Sequence, residues 1–190
     1  MDVKEKELIA QVLAGDRSAF EPLVRPYRQP LFGLAYRMTG NREDALEVAQ
    51  DALLRAYRYL GRCDLERSFR NWLYQILVNA ARDFGSKKGR EADWRSPDPL
   101  PETTAAATPG PEAIQARNEI RSKIMSALSA LNGKEREVFL LRDLEEKSIQ
   151  ETVEITRSSS IAIRVHLSRA RRKVRDYLTA MDPSLSEVDR

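Results

Sequence analysis

Apolar residues recur along this chain at the three- and four-residue spacing of amphipathic helices, and no stretch alternates long enough to predict a strand. Gly15 is predicted to end the first helix, and Asp16 to cap the next. Thr39–Asn41 has the composition of another stop and a fresh cap, while Pro26 and Pro30 predict a kink or break before Leu31. The apolar faces of this first half lie at Leu8, Ile9, Val12 and Leu13, at Ala19, Phe20, Leu23 and Val24, and at Ala45, Ala49, Ala52, Leu53, Ala56 and Leu60.

The segment from Phe69 to Arg82 predicts a helix with two different faces. Leu73, Leu77 and Ala80 form one apolar stripe. A neighbouring face collects aromatic, amide and guanidinium groups, which are the groups that stack on unpaired bases, bond to base edges and neutralise phosphates. Its members are Phe69, Trp72, Asn79 and Arg82. The alternative is that Trp72 is simply a core residue, as most helical tryptophans are.

The second half predicts a helix-turn-helix. Ser148 and Glu151 fit a capping box that starts a short helix, and the hydroxyl-rich run 156–160 favours a turn and a new start. The following helix is apolar on one face, from Ile163 to Tyr177, and rich in arginine on the other. In such a motif the second helix enters the major groove, where arginine reads guanine and neutralises phosphates. A merely solvated basic face is the alternative.

Proline divides the chain. Five of its nine prolines lie between Pro97 and Pro111, a stretch that can neither sustain a helix nor pair as a strand. The predicted fold is all-α, with two small helical domains joined by a proline-rich flexible linker. The predicted spans are an N-terminal domain at 1–92, a linker at 93–116, a helix-turn-helix domain at 117–180 and a tail at 181–190.

Composition narrows the chemistry. The 190 residues carry a formal net charge of +3 with a sequence pI of about 9.1, and the basic residues are clustered, as a polyanion partner requires. The sequence has one histidine, one cysteine and no glycine-rich phosphate loop, so it lacks the residues that hydrolytic or nucleotide-dependent catalysis needs. We therefore expect that the protein is not an enzyme and binds no cofactor or metal. Cys63 cannot form an internal disulfide. No apolar run approaches a membrane span, and a cytoplasmic protein is expected.

Both halves together resemble the extracytoplasmic-function (ECF) sigma factors, the small two-domain class of bacterial RNA polymerase sigma subunits. The resemblance rests on short motifs in a fixed order around the linker. These motifs are Ala14–Asp16 with Ala19–Phe20 and Leu23–Val24, Glu47–Asp51 with Arg55–Ala56, Phe69–Ile76 with Asn79, Arg136–Arg142, and Leu167–Arg175. It implies a dissociable promoter-specificity subunit that directs core polymerase to promoters and starts DNA opening.

The resemblance also implies the partners. They are the polymerase core, contacted at the clamp helices of its largest subunit and at the flap region, together with promoter DNA and an anti-sigma factor. It implies no membrane insertion by this chain itself. The positions that match the family's polymerase-binding helix are Glu47, Gln50 and Asp51. Without the resemblance these three residues have the pattern of an ordinary solvated helix face.

Two sets of DNA-binding residues follow by the same resemblance. The helix after the 61–67 loop corresponds to the site where the −10 element is opened and a flipped base is held, with Asn79 at the family's asparagine. The implied −10 residues are Arg70, Trp72, Asn79, Arg82, Lys87, Lys88 and Arg90. The implied −35 residues are Arg164, His166, Ser168, Arg169, Arg171 and Arg172.

The chain departs from the family at the start of the second set. Relatives usually carry glycine in the turn and small or hydroxyl-bearing residues at the start of the recognition helix. This chain has Arg157 in the turn, and Ile161, Ala162 and Val165 at the helix start. Two other functions stay open at this point. One is a helix-turn-helix regulator that binds duplex DNA without polymerase, and the other is a helical interaction protein whose recognition helix no longer reads DNA.

Overall fold

The computed structural model describes residues 1–87 and 111–181, and within these ranges the chain forms helices and no strand. The all-α prediction is therefore confirmed. Eight α-helices follow in order: α1 Val3–Leu13, α2 Phe20–Thr39, α3 Arg42–Arg58, α4 Phe69–Lys87, α5 Pro111–Ser129, α6 Gly133–Phe139, α7 Ile149–Thr156 and α8 Ser160–Met181. Short 3₁₀ turns precede α2 and follow α3, and α6 continues into a π-helical turn, Leu140–Leu144.

The helix ends of the N-terminal domain lie where glycine and short polar side chains predicted them. Gly15, at φ +107°, follows α1, and the Asp16 carboxylate accepts a hydrogen bond from the Ser18 amide at 3.0 Å. Gly40 ends α2 in the left-handed conformation, and Asn41 caps α3 by accepting from the Asp44 amide at 2.8 Å. These stops and caps satisfy backbone groups that a helix end leaves without partners.

Of the kink or break predicted at Pro26 and Pro30, the break is not found, because α2 runs from Phe20 to Thr39 with both prolines inside it. Each proline removes one amide from the helix and so leaves the carbonyl four residues earlier without its usual donor. Those carbonyls belong to Pro22 and Pro26, which lie on the exposed side of α2, where water can bond to them. The apolar side of the same helix, which includes Leu23, Leu31 and Leu34, is fully buried.

The core of the N-terminal domain lies where α2, α3 and α4 pack together, with α1 added against α2. Leu73, Leu77 and Ala80 point into it, which confirms the predicted apolar stripe of α4. Phe69 was predicted on the neighbouring face, and this is wrong, because its ring is buried and packs edge-on against Tyr27 at 5.6 Å. The Phe69 ring is thus part of the core of the N-terminal domain.

The C-terminal domain packs α5, α6 and α7 against α8. Helix α5 begins at Pro111, inside the span predicted as linker, whereas 93–110 and the tail residues 182–190 lie outside the described residues. The capping box at the start of α7 is confirmed: the Ser148 hydroxyl accepts from the Glu151 amide at 3.1 Å, and the Ser148 amide donates to the Glu151 carboxylate at 2.8 Å. Helix α7, the turn and α8 form the predicted helix-turn-helix.

The two domains touch. Helix α4 lies against α7, and α2 lies against α6. The face of α4 that meets the C-terminal domain includes Arg82 of the face singled out in the sequence, so this arrangement decides how the candidate site is presented.

Candidate nucleic-acid interface

Helix α4 carries a line of polar side chains along the boundary between the domains. The four members, spaced four, four and three residues apart, are Asn71, Gln75, Asn79 and Arg82, and we call them the α4 polar stripe. Such spacing keeps side chains on one side of a helix. The apolar stripe of Leu73, Leu77 and Ala80 faces away from them into the core. The α4 polar stripe thus lies on the side of this helix that faces the C-terminal domain.

Arg82 makes the strongest contact of the stripe, and it makes it with the other domain. Its Nε donates to Glu137 Oε2 at 2.9 Å, a second guanidinium nitrogen bonds to the other carboxylate oxygen, and the Thr156 carbonyl accepts at 3.1 Å. The Glu137 side chain is only 3% exposed. Two parallel bonds between guanidinium and carboxylate are the strongest form of ion pair in proteins. The residue predicted to bind DNA therefore holds the C-terminal domain.

Further bonds extend the domain contact toward the start of α4. The Asn71 amide donates to Glu151 at 3.1 Å, and the Gln75 amide donates to the Glu154 carbonyl at 3.3 Å. Asn79 is half-buried, and its oxygen accepts from Arg82 at 3.4 Å. The sequence interpretation missed Asn71 and Gln75. The four-residue spacing of amides back from Asn79 was the signal that could have found them.

A buried polar cluster closes the same boundary beside the stripe. The Tyr74 hydroxyl donates to Glu145 at 2.7 Å, and Arg37 of α2 pairs with the same carboxylate. Lys147 lies 5.3 Å from the centre of the Tyr74 ring and is itself buried. Burial and the bond to Glu145 raise the pKa of Tyr74, and burial lowers the pKa of Lys147. These shifts follow from the loss of water around the groups.

A cleft of about 490 Å³ opens between the loop before α4 and the turn before α8. Trp72, half-buried and stacked on Phe69 at 5.7 Å, forms one wall. Arg67 and Arg157 lie at its edges, and the Asn71 oxygen is buried without a hydrogen-bond partner among the described residues. Trp72 thus packs partly against the core and partly lines the cleft. It therefore combines the two alternatives predicted from the sequence, a core residue and a residue on a binding face.

The remaining −10 candidates are spread out. Arg70 is exposed, with its guanidinium 5.9 Å from the centre of the Tyr74 ring. Lys87, also exposed, lines a groove between α3 and α4 rather than the domain boundary. Lys88 and Arg90 lie outside the described residues.

Helix α3 presents the polymerase-binding candidates on an open surface. Glu47 and Gln50 are exposed, while Asp51 pairs with Arg55 at 2.8 Å, and Arg55 in turn reaches Asp83 of α4 at 2.6 Å. The groove of about 300 Å³ between α3 and α4 runs beneath them. Leucine side chains are also exposed on this face, at Leu46 and Leu54. The sequence interpretation missed these two leucines, although they stand four residues before and after Gln50.

Helix α8 exposes most of the −35 candidates but not all of them. Arg164, Ser168, Arg169, Arg171 and Arg172 are exposed, and His166 is half-buried. Arg171 bonds to Asp143 through two nitrogens, at 2.9 and 2.5 Å, and the ring nitrogen Nδ1 of His166 is buried without a partner among the described residues. Arg171 is therefore already paired with a carboxylate, and His166 is less exposed than the other five.

The turn of the motif holds Arg157 in the left-handed conformation, at φ 58° and ψ 29°. This conformation costs a residue with a Cβ about 1–2 kcal/mol and glycine almost nothing. Arg157→Gly is expected to stabilise the chain by about 0.5–1 kcal/mol, since the greater freedom of glycine in the unfolded chain offsets part of the gain. Urea unfolding measures the difference. Arg157→Ala is the matched control, and a glycine variant less stable than the alanine variant would contradict the prediction.

No group of three or more histidine, cysteine, aspartate or glutamate side chains is placed to hold a metal ion in the described ranges. Within the same ranges, none of the helices combines the length and the apolar character needed to cross a membrane. Burial, together with the nearby Asp64 carboxylate, raises the pKa of the Cys63 thiol to about 11.

Both helical domains match known protein families. Residues 23–91 match the family described as Sigma-70 region 2, and residues 121–174 match the family described as Sigma-70, region 4. The chain is 30% identical to the ECF RNA polymerase sigma factor SigW of Bacillus subtilis, over 94% of this chain and 98% of that protein. It is 28% identical to the RNA polymerase sigma-H factor of Pseudomonas aeruginosa, over 97% of each.

Solved structures give the same answer for the fold. CnrH, in a complex with the cytosolic domain of CnrY, superimposes with a TM-score of 0.67 at 26% identity, over 93% of this chain and 98% of that one. The sigma factor RpoE of Bartonella quintana, in a complex with the anti-sigma factor NepR, superimposes with a TM-score of 0.66 at 19% identity, over 90% and 98%. The similarity thus extends over both helical domains.

Proposed function

Because this chain belongs to the ECF class of RNA polymerase sigma factors, we propose that it directs core polymerase to a specific set of promoters and starts the opening of their DNA. The observation that carries the proposal is the pair of helix faces just described. Helix α4 bears amides and arginine beside Trp72, and α8 bears exposed arginines. The first face suits unpaired bases, and the second suits the major groove of a duplex.

Core polymerase is proposed to bind α3. Glu47, Gln50 and Asp51 lie on that surface together with the exposed Leu46 and Leu54. An exposed mixture of aliphatic side chains with a few polar ones is typical of a protein interface. Lys87, at the end of α4, lines the same groove.

Promoter binding through α4 requires the two domains to separate. Arg82 cannot hold Glu137 and a DNA phosphate at once, and the Asn71 and Gln75 amides are equally engaged. We infer that the arrangement described here is a closed form of the free chain. In the open form the α4 polar stripe, Arg70, Trp72 and the basic residues Lys87, Lys88 and Arg90 would contact the −10 region. Arg164, Ser168, Arg169 and Arg172 would contact the −35 region.

A protein regulator is part of the proposal. The structurally similar CnrH is bound to the cytosolic domain of another protein, CnrY. We propose that an anti-sigma factor acts on this chain by stabilising the closed form. We further propose that the chain has no catalytic activity and acts in the cytoplasm on the polymerase. In support, its only histidine has a buried ring nitrogen, and burial raises the pKa of its only thiol to about 11, far above the range of a reactive cysteine.

Transcription in vitro tests the proposal. Purified chain, core polymerase and a pool of genomic fragments are expected to give new discrete start sites that neither protein gives alone. The variant with Arg164→Ala and Arg169→Ala is expected to bind core polymerase normally and to lose these start sites, because the groove contacts are gone. No new start sites with the unaltered chain would overturn the proposal.

The same materials separate the two competing functions. A helix-turn-helix regulator would bind promoter duplex tightly without polymerase, which a gel-shift measurement with the free chain detects. A protein-interaction module with no DNA reading would leave the start sites unchanged in the double-alanine variant.

A further inference from the structure

The first turns of α8 expose two aliphatic side chains. Ile161 is 72% exposed and Val165 is 41% exposed, although the opposite side of the helix, with Ile163, Leu167 and Ala170, is fully packed. A single exposed aliphatic residue is common on a protein surface. Here two of them lie one helical turn apart at the N-terminal end of the recognition helix, which is the end that enters the groove. Such a pair indicates a binding partner.

The surroundings of the pair identify the partner. Arg164 lies between the two residues along the chain, and Ser168, Arg169 and Arg172 continue the same exposed side of the helix. None of these arginines makes an ion pair with the described residues, in contrast to Arg171, which bonds to Asp143. A short aliphatic patch bordered by unpaired cations is complementary to a polyanion that presents an apolar group between its rows of negative charge. Duplex DNA is such a partner.

Only one base offers an apolar group in the major groove. Thymine carries a C5-methyl there, whereas guanine, adenine and cytosine present hydrogen-bonding groups alone. Side chains four apart on a helix are about 5–6 Å apart at Cβ, and successive base pairs are about 3.4 Å apart. The two side chains can therefore reach methyl groups one or two base steps apart.

We propose that Ile161 and Val165 are specificity-determining residues that read thymine methyl groups in the upstream promoter element. The proposal rests on the proposed function, because it needs α8 in the major groove of that element. It explains why aliphatic side chains replace the small and hydroxyl-bearing ones usual at this helix start. The upstream element preferred by this chain should contain two thymines within two base steps of each other.

Deletion of single methyl groups tests the proposal. Holoenzyme assembled from core polymerase and the full chain first selects promoters from a duplex pool randomised over the upstream element. In a selected promoter each thymine of that element is then replaced by deoxyuridine, which removes only the C5-methyl. The readout is the affinity of holoenzyme for each duplex in competition. For the unaltered chain we expect about a three- to fivefold loss at two of these positions, the loss associated with one buried methyl.

The variants Ile161→Ala and Val165→Ala complete the test. Each should bind the thymine duplex more weakly and should lose the distinction between thymine and uracil at one position only. Val3→Ala is the matched control, because Val3 is 71% exposed on α1, far along the chain from the recognition helix. It should leave the thymine-to-uracil ratio unchanged.

Three results would overturn the inference while leaving the proposed function intact. They are selected elements without thymine, a uracil penalty that is unchanged in both alanine variants, and alanine variants that assemble less holoenzyme in the absence of DNA. The last would show that Ile161 and Val165 contact a protein. Failure to select any sequence would overturn the proposed function itself and this inference with it.

Discussion

Replacing Glu137 with arginine is expected to separate the two domains and to raise the affinity of the free chain for forked promoter DNA by about ten- to a hundredfold. The nearly buried Glu137 carboxylate receives two hydrogen bonds from Arg82, and arginine at 137 would turn this attraction into repulsion. Loss of one partner from a buried ion pair costs about 3–5 kcal/mol. The expected change in affinity corresponds to less than this cost, because the Arg82 side chain is still 30% exposed and water screens part of the interaction.

Two measurements follow this change. Small-angle scattering should report an increase in the radius of gyration from the value of about 16 Å expected for a compact chain of 190 residues. Fluorescence anisotropy with DNA that is single-stranded over the −10 element should report tighter binding. Circular dichroism checks that the helices remain, and Glu137→Gln, of nearly the same shape, should give a smaller change in the same direction.

The charge-swapped chain is the decisive control. Arg82→Glu together with Glu137→Arg restores an ion pair between the domains, so the radius of gyration should return toward the closed value. The swap removes the cation that DNA needs on α4, so affinity for forked DNA should stay low. An unchanged radius in Glu137→Arg would contradict the closed form as a regulated state. A swapped chain that binds DNA as tightly as Glu137→Arg would contradict the role of Arg82 in DNA binding.

Replacing Asn79 with alanine is expected to reduce promoter opening by about ten- to a hundredfold while the domain stays folded. Asn79 is half-buried, and its hydrogen bond with Arg82 is long at 3.4 Å. Its removal therefore costs little stability. An unstacked base costs a few kcal/mol to hold outside the duplex, and an amide that bonds to its edge returns part of that energy. Permanganate reactivity of the −10 thymines measures the opening directly.

Leu77→Ala, two residues earlier on the same helix, shows the opposite behaviour. The Leu77 side chain is fully buried in the core, and its truncation is expected to cost about 2–5 kcal/mol of folding free energy. This is a large share of the total stability of a small domain. Thermal unfolding should therefore show a lower melting temperature for Leu77→Ala than for Asn79→Ala. Binding to core polymerase should survive only in Asn79→Ala. Normal permanganate reactivity in Asn79→Ala would contradict the proposed role of this amide.

The sequence predicted the helices and their ends well, because these depend on neighbouring residues. Asn41 and Ser148 cap the helices that follow them, and Gly40 takes the left-handed conformation that glycine favours. The helix does not break at Pro30, because the exposed side of α2 tolerates the missing amide, and Phe69 belongs to the core, because distant Tyr27 packs against it. Those outcomes depend on parts of the chain that a local pattern does not contain.

The closed arrangement lay beyond sequence reasoning for a related reason. Arg82 and Glu137 are 55 residues apart, and nothing in their local surroundings links them. The guanidinium group also bonds to carboxylates and to phosphates with the same geometry. The pattern on α4 therefore predicted an anion-binding face, and the structure shows that an anion on this chain already occupies it.

Occupied arginines have a consequence for how such a chain finds its targets. A free chain with a pI of about 9.1 would tend to be retained on the large excess of non-promoter DNA in a genome, since every phosphate contact adds to non-specific affinity. In the structure Arg37, Arg67 and Arg82 are paired with glutamates of the C-terminal domain. Because these three cations are paired within the chain, the closed form is expected to bind non-promoter DNA less tightly than the open form does.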